Sequence, residues 1–259
     1  MSAQAALLEV AAGTLIGLVA FGLVAGIGIT AVGPGGVLVT VGLFVLTDLS
    51  PAEVAGTAIV THVATGTLGT LAYWRSGQLR RPPTRRAAAL LAAAALVGTP
   101  IGVLVNGVVS GPGFAILLAA AVAATGLLVL VREHRVGPPA GHPRAALVAV
   151  VGVAVAAASG LFGIGGPMLA VPLLLVCGMP VLDALGAAQV QSIVIASVGT
   201  VGYAAQGAID WPLAVAVGVP ELVGVLIGWR VAHAVPTHRL RLALAAALIC
   251  LAPYLALHG

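Results

Sequence analysis

The chain has no lysine, and charged residues of every kind fill only 7% of its 259 positions. A soluble domain carries roughly 25% charged residues, so a fold with water on every side is excluded. The missing lysine also excludes a Walker A loop, which depends on that residue, and without a soluble βαβ unit no dinucleotide site follows. Cysteine is scarce: Cys177 and Cys250 both sit in apolar segments, without metal-ligand or redox spacing. They read as small apolar fillers. No cofactor and no metal are expected.

What is present is apolar. Hydrophobic residues make up 61% of the sequence, in runs of about 20 residues, each long enough to cross the roughly 30 Å of hydrocarbon in a bilayer. The first run, Leu7–Ala31, has no basic residue before it and exceeds the roughly 7–15 residues of a signal-peptide core, so it reads as a retained span. The eleven basic residues are all arginine, gathered in Arg75–Arg86, Arg132–Arg144 and Arg230–Arg241. Short basic clusters between apolar spans mark cytoplasmic loops, so the formal charge of +4 does not call for nucleic acid as a partner.

Turn residues and charges divide the chain into segments. These are Leu7–Ala31, Val37–Leu46, Ala52–Trp74, Ala87–Val105, Phe114–Val131, Ala145–Leu161, Pro167–Val176, Val181–Ala205, Pro212–Ala234 and Arg239–Leu257. Val37–Leu46 and Pro167–Val176 are too short to span alone, and each follows a glycine-rich break, GPGG at Gly33–Gly36 and GIGGP at Gly163–Pro167. A shift of 130 positions superimposes Gly33, Gly35 and Gly36 on Gly163, Gly165 and Gly166. The same shift pairs Glu53 with Asp183, Gly56 with Gly186, Tyr73 with Tyr203, Gly77 with Gly207 and Pro82 with Pro212. Gly98 and Gly102 correspond to Gly224 and Gly228 after a four-residue slip. Two related halves follow: residues 1–131, a cytoplasmic linker at 132–144, and residues 145–259.

The arginines orient the halves. The loop after the third segment holds Arg75, Arg80, Arg81, Arg85 and Arg86, whereas its counterpart Gln206–Trp211 has none. After the fourth segment the pattern reverses: Asn106–Gly113 is uncharged and its counterpart holds Arg230, Arg239 and Arg241. The expected fold is therefore an all-α integral membrane protein of two inverted five-segment repeats. It would have about eight full spans, two short broken-helix segments and both termini outside. In such architectures the site lies near the midplane, between the repeats.

A helix start inside the membrane presents free N–H groups and the positive end of a dipole, a ready anion site, and glycine lets the backbone approach a ligand. Gly33, Gly35, Gly36, Gly163, Gly165 and Gly166 are the backbone candidates. The competing reading makes them packing or kink residues, the simplest role for the Gly-x3-Gly pairs Gly13/Gly17, Gly22/Gly26, Gly98/Gly102 and Gly224/Gly228. Polar residues within spans are expensive, which adds Thr57, Thr61, His62, Gln189, Gln191 and Ser192 as substrate-facing candidates. His62 and Glu221 are candidates for carrying a coupled proton. An interhelical hydrogen bond serves His62 equally well, and the threonines and serine can bond to their own helix. Glu53 and Asp183 lie in first turns, where they complement the helix dipole.

Paired glycine-rich breaks, short apolar segments and spans ending in Tyr-x3-Gly (Tyr73–Gly77 and Tyr203–Gly207) resemble the sulfite exporter TauE/SafE family over about Gly13–Leu251. The resemblance implies secondary transport of sulfur-containing or organic anions such as sulfite, thiosulfate or sulfonates across the cytoplasmic membrane. Family members often carry proline soon after the glycine cluster. Pro172 fits that pattern, but its first-half counterpart is Gly42, so the halves can contribute unequally. A cation or metal-ion permease is the alternative, against which stands the lack of clustered carboxylates or histidines in the spans. An intramembrane protease would need Gly-x-Ser-Gly or Gly-x-Gly-Asp, and neither motif occurs. The anion, the direction of transport and proton coupling stay open, and the sequence is compatible with a homo-oligomer.

Overall fold

Proline, serine and glycine set the helix ends. In the computed structural model, which describes residues 3–133 and 143–234 with residues 242, 245–246, 249–250 and 252–253, α3 (Pro51–Arg75) opens on a capping box. The Ser50 backbone N–H donates to Glu53 Oε2 at 2.8 Å, and the Glu53 N–H donates to Ser50 Oγ at 3.4 Å. This exchange pairs donors that a helix start otherwise leaves free, and Pro51 has no donor to leave unpaired. Proline also opens α4 (Pro82–Asn106) and α7 (Pro167–Val176). The Asp210 side chain accepts from the Leu213 N–H in the first turn of α9 (Trp211–Ala234).

The other helices are α1 (Ala3–Ala31), α2 (Val37–Leu46), α5 (Gly111–Glu133), α6 (Ala145–Phe162) and α8 (Val181–Ala205). No strand occurs among the described residues. Seven of the helices, all but α2 and α7, are long and apolar enough to cross a membrane. α2 and α7 have 10 residues each, or about 15 Å of helix, half the hydrocarbon thickness. The expected bounds of α2, α7 and α8 match residue for residue. α4 instead starts at Pro82 rather than Ala87, because a helix continues through arginines once it has left the hydrocarbon. The expected tenth segment, Arg239–Leu257, falls mostly outside the described residues.

Two backbone breaks join α1 to α2 and α6 to α7. In the first, the Val32 and Gly33 N–H groups both donate to the Gly28 carbonyl, and Gly33 adopts φ 112° before a 3₁₀ turn at Pro34–Gly36. In the second, Gly163 adopts φ 70° and the Ile164 N–H donates to the Ser159 carbonyl. A helix end leaves carbonyls unpaired, which is costly in a membrane. Here side chains from other helices take them up. Tyr73 donates its hydroxyl to the Thr30 carbonyl at 3.0 Å, and Tyr203 donates to the Gly160 carbonyl at 2.7 Å. Gln189 reaches the Ile29 carbonyl at 3.4 Å and Asn106 the Leu161 carbonyl at 2.8 Å.

Helix pairing is set by glycine. α1 lies along α9, α4 along α6, and α3 against α8. A side chain at Gly98 or Gly102 would strike the α6 backbone at Val153 and Ala157. One at Gly224 or Gly228 would strike the α1 backbone at Leu23 and Ile27. Those α1 and α6 positions are themselves 130 apart. Gly56 packs on Tyr203 and Gly186 on Tyr73 in the same reciprocal manner. Close backbone approach over small residues is the usual basis of helix association in lipid. Gly13 departs from that role, since a Cβ there meets nothing within 4 Å among the described residues. Asp183, expected only to complement a helix dipole, also pairs with Arg81 at 3.3 Å.

Candidate functional site

Midway along α3, His62 is 1% exposed, and Glu221 of α9 is fully buried opposite it. His62 Nδ1 lies 3.1 Å from Glu221 Oε1, an ion-pair distance, yet neither carboxylate oxygen has an aligned hydrogen bond. A small rotation of either side chain supplies the alignment. An isolated buried charge is very costly, so these two groups make physical sense only as a couple. Pro220 precedes the glutamate inside α9, where its ring interrupts the regular helix ladder.

The other face of the imidazole is different. His62 Nε2 is buried and has no hydrogen-bond partner. It borders a cavity lined by Gly33, Gly36, Thr65, Gly165 and Ser192, and closed by Ile29, Pro167 and Met168. In this conformation the cavity is too narrow for a water molecule. A Cβ on Gly36 would sit 3.1 Å from His62 Cε1 and 3.3 Å from Nε2. A Cβ on Gly165 would sit 3.0 Å from Ser192 Oγ and 3.5 Å from His62 Cγ. The same Gly36 position is 3.6 Å from the Gly165 backbone nitrogen. Both breaks thus converge on one histidine ring. Two short helices begin there, so helix dipoles, an imidazole nitrogen and hydroxyls share one small space. That combination suits an anion. No group of three or more histidine, cysteine, aspartate or glutamate side chains that could hold a metal occurs among the described residues.

The remaining sequence candidates divide. Gly166 caps α7, and a Cβ there would lie 3.4 Å from Gln191 Oε1. Gln191 donates its amide to the Gly152 carbonyl at 2.9 Å, leaving Oε1 buried and unpaired, and neither it nor Gly166 lines the cavity. Gly35 instead packs into α1, where a Cβ would strike Ala25 and Ile29 backbone atoms, and Gly163 packs on the α3 backbone at Ala55. Thr57 accepts from the Asp210 N–H at 2.9 Å, and Thr61 donates to the Ala58 carbonyl at 2.9 Å beside Gly218. Gln189 holds the end of α1. These five lie apart from the cavity lining.

Sequence reasoning missed the coupling of His62 to Glu221, although a signal existed. In a chain so poor in charge, two ionisable groups in mid-span must find each other or stay neutral. Ile29 and Met168, as apolar residues in apolar helices, gave none. A protein-family model described as Sulfite exporter TauE/SafE matches residues 18–255. No curated protein and no solved structure matches the chain significantly.

Proposed function

The chain belongs to the sulfite exporter TauE/SafE family, and from that premise we propose that it is a secondary transporter exporting small sulfur-containing or organic anions across the cytoplasmic membrane. The family is one of transporters, and sulfite-type anions are its substrates. Sulfite, thiosulfate and sulfonates are the class to test first. The observation that carries the site is the unpaired, buried His62 Nε2 held between Gly36 and Gly165. An anion there receives the ring N–H, the Ser192 hydroxyl and the positive ends of α2 and α7.

The closed cavity is read as an occluded state, so the anion enters and leaves as helices around it part. Residues 1–131 and 145–259 form the two halves that move, related by inversion and joined by the cytoplasmic linker at 132–144. Reciprocal contacts of Gly98 and Gly102 with α6, and of Gly224 and Gly228 with α1, support that symmetry. A carboxylate facing an anion is unfavourable, so Glu221 and its partner His62 are the candidates for carrying a coupled proton. The first test is thermal stabilisation of purified protein by a panel of sulfur oxyanions, since a ligand that binds only the folded state raises its Tm. Stabilisation by one or more of them, and not by chloride at equal ionic strength, is the expected result. No shift with any oxyanion refutes the substrate class.

A further inference from the structure

Away from this cavity, the first turns of α4 and α6 enclose an open groove of about 490 Å³. Arg86 and Arg144 line it from opposite helices, with Pro82, Leu90, Pro143 and Val148 completing the walls. Both arginines are exposed. The ion pair formed at this end, Arg81 with Asp183, involves neither of them, and among the described residues no carboxylate lies within ion-pair distance of either. The groove floor is apolar, with Ala87 and Val148 buried.

Below each arginine runs an apolar stripe. On α4, Arg86, Leu90, Ala93 and Val97 recur at helical spacing and are exposed or half-buried. On α6, Leu147, Val151 and Ala154 do the same below Arg144, the residue that caps the helix. Residues at such spacings share one helix face. α4 and α6 lie side by side in the same direction, so the two stripes descend together from the two charges. In a chain read as spanning a membrane, an exposed apolar stripe faces acyl chains.

We propose that this groove binds an anionic phospholipid, its phosphate between Arg86 and Arg144 and its acyl chains along the two stripes. Guanidinium groups bind phosphate bidentately and stay charged at any pH of interest. The N-terminal ends of α4 and α6 add positive potential at the same spot. Basic pockets between helices on the cytoplasmic side are suited to anionic headgroups. A free phosphate would use the arginines but not the stripes, which is why the lipid is favoured. The proposal requires the membrane setting and is independent of the transported anion.

The test compares a short-chain phosphatidylglycerol, the matching phosphatidylcholine and inorganic phosphate as ligands of the purified full chain in detergent, read by thermal shift. Phosphatidylglycerol is expected to stabilise the wild type at far lower concentration than either of the others. Each arginine that meets the phosphate contributes about fivefold in affinity, so R86Q/R144Q should bind phosphatidylglycerol roughly thirty-fold more weakly. R85Q, which removes a neighbouring arginine outside the groove, should leave binding unchanged. If the double variant does not fold, the single variants R86Q and R144Q carry the test, at about fivefold each. Equal responses to the two lipids, full stabilisation by inorganic phosphate, or unaltered binding in the arginine variants would overturn the proposal.

Discussion

One imidazole ring faces two environments in this protein, and its neighbours follow suit. Nδ1 meets Glu221, while Nε2 meets the cavity. Replacing His62 with leucine should therefore weaken anion binding by about tenfold or more, the loss of a charge-assisted hydrogen bond, and should also lower the melting temperature because Glu221 loses its buried partner. Glu221→Gln should keep binding but uncouple flux from a pH gradient, because the amide cannot take up the proton. Flux that still follows the pH gradient in Glu221→Gln assigns the proton to another group. Glycines a residue apart should likewise differ. Gly36→Ala presses on the His62 ring and should weaken binding, whereas Gly35→Ala drives a methyl into the α1 backbone and should cost about 1–3 kcal/mol of stability. Binding assays and melting curves on both variants check the split; a Gly36→Ala protein that binds normally removes Gly36 from the site.

At the scale of elements, the interrupted helices are held by tyrosines rather than by their own ladders. Tyr73→Phe and Tyr203→Phe each leave a buried carbonyl unpaired, at Thr30 and Gly160. Each should lower stability by about 1–3 kcal/mol, and denaturation in detergent measures it. A Tyr73→Phe protein as stable as the wild type would mean that something else pairs the Thr30 carbonyl. The breaks themselves were legible in the sequence because glycine and proline have few other uses in series. Gly33 and Gly163 take positive φ, which a side chain strains, and Pro167 sits at a helix start. What pairs with the exposed carbonyls was not legible. Gln189 looked like a substrate ligand because a buried amide is conspicuous, but the residue it serves, Ile29, lies 160 positions away. The same holds for Thr57 and Asp210, joined across 153 positions. Local pattern carries no information about such partners.

For the whole molecule, the membrane requirement made the helices readable almost to the residue, since every span must satisfy its own backbone. The proposed inversion of the halves is open to direct test at Ser76 and Gln206, which are 130 positions apart and both exposed. In a chain with Cys177 and Cys250 replaced by alanine, Ser76→Cys should react from the cytoplasm and Gln206→Cys from outside. Reaction of both from one side contradicts the inversion. The central claim, that a small oxyanion crosses through the cavity at His62, is tested most directly by flux. Purified wild-type protein and His62→Leu are placed in matched liposomes loaded with labelled sulfite or thiosulfate, and efflux is followed under a pH gradient. The account predicts efflux through the wild type, and none above empty liposomes through His62→Leu that remains folded at the assay temperature. Equal efflux through the two proteins, or none through either, would contradict it.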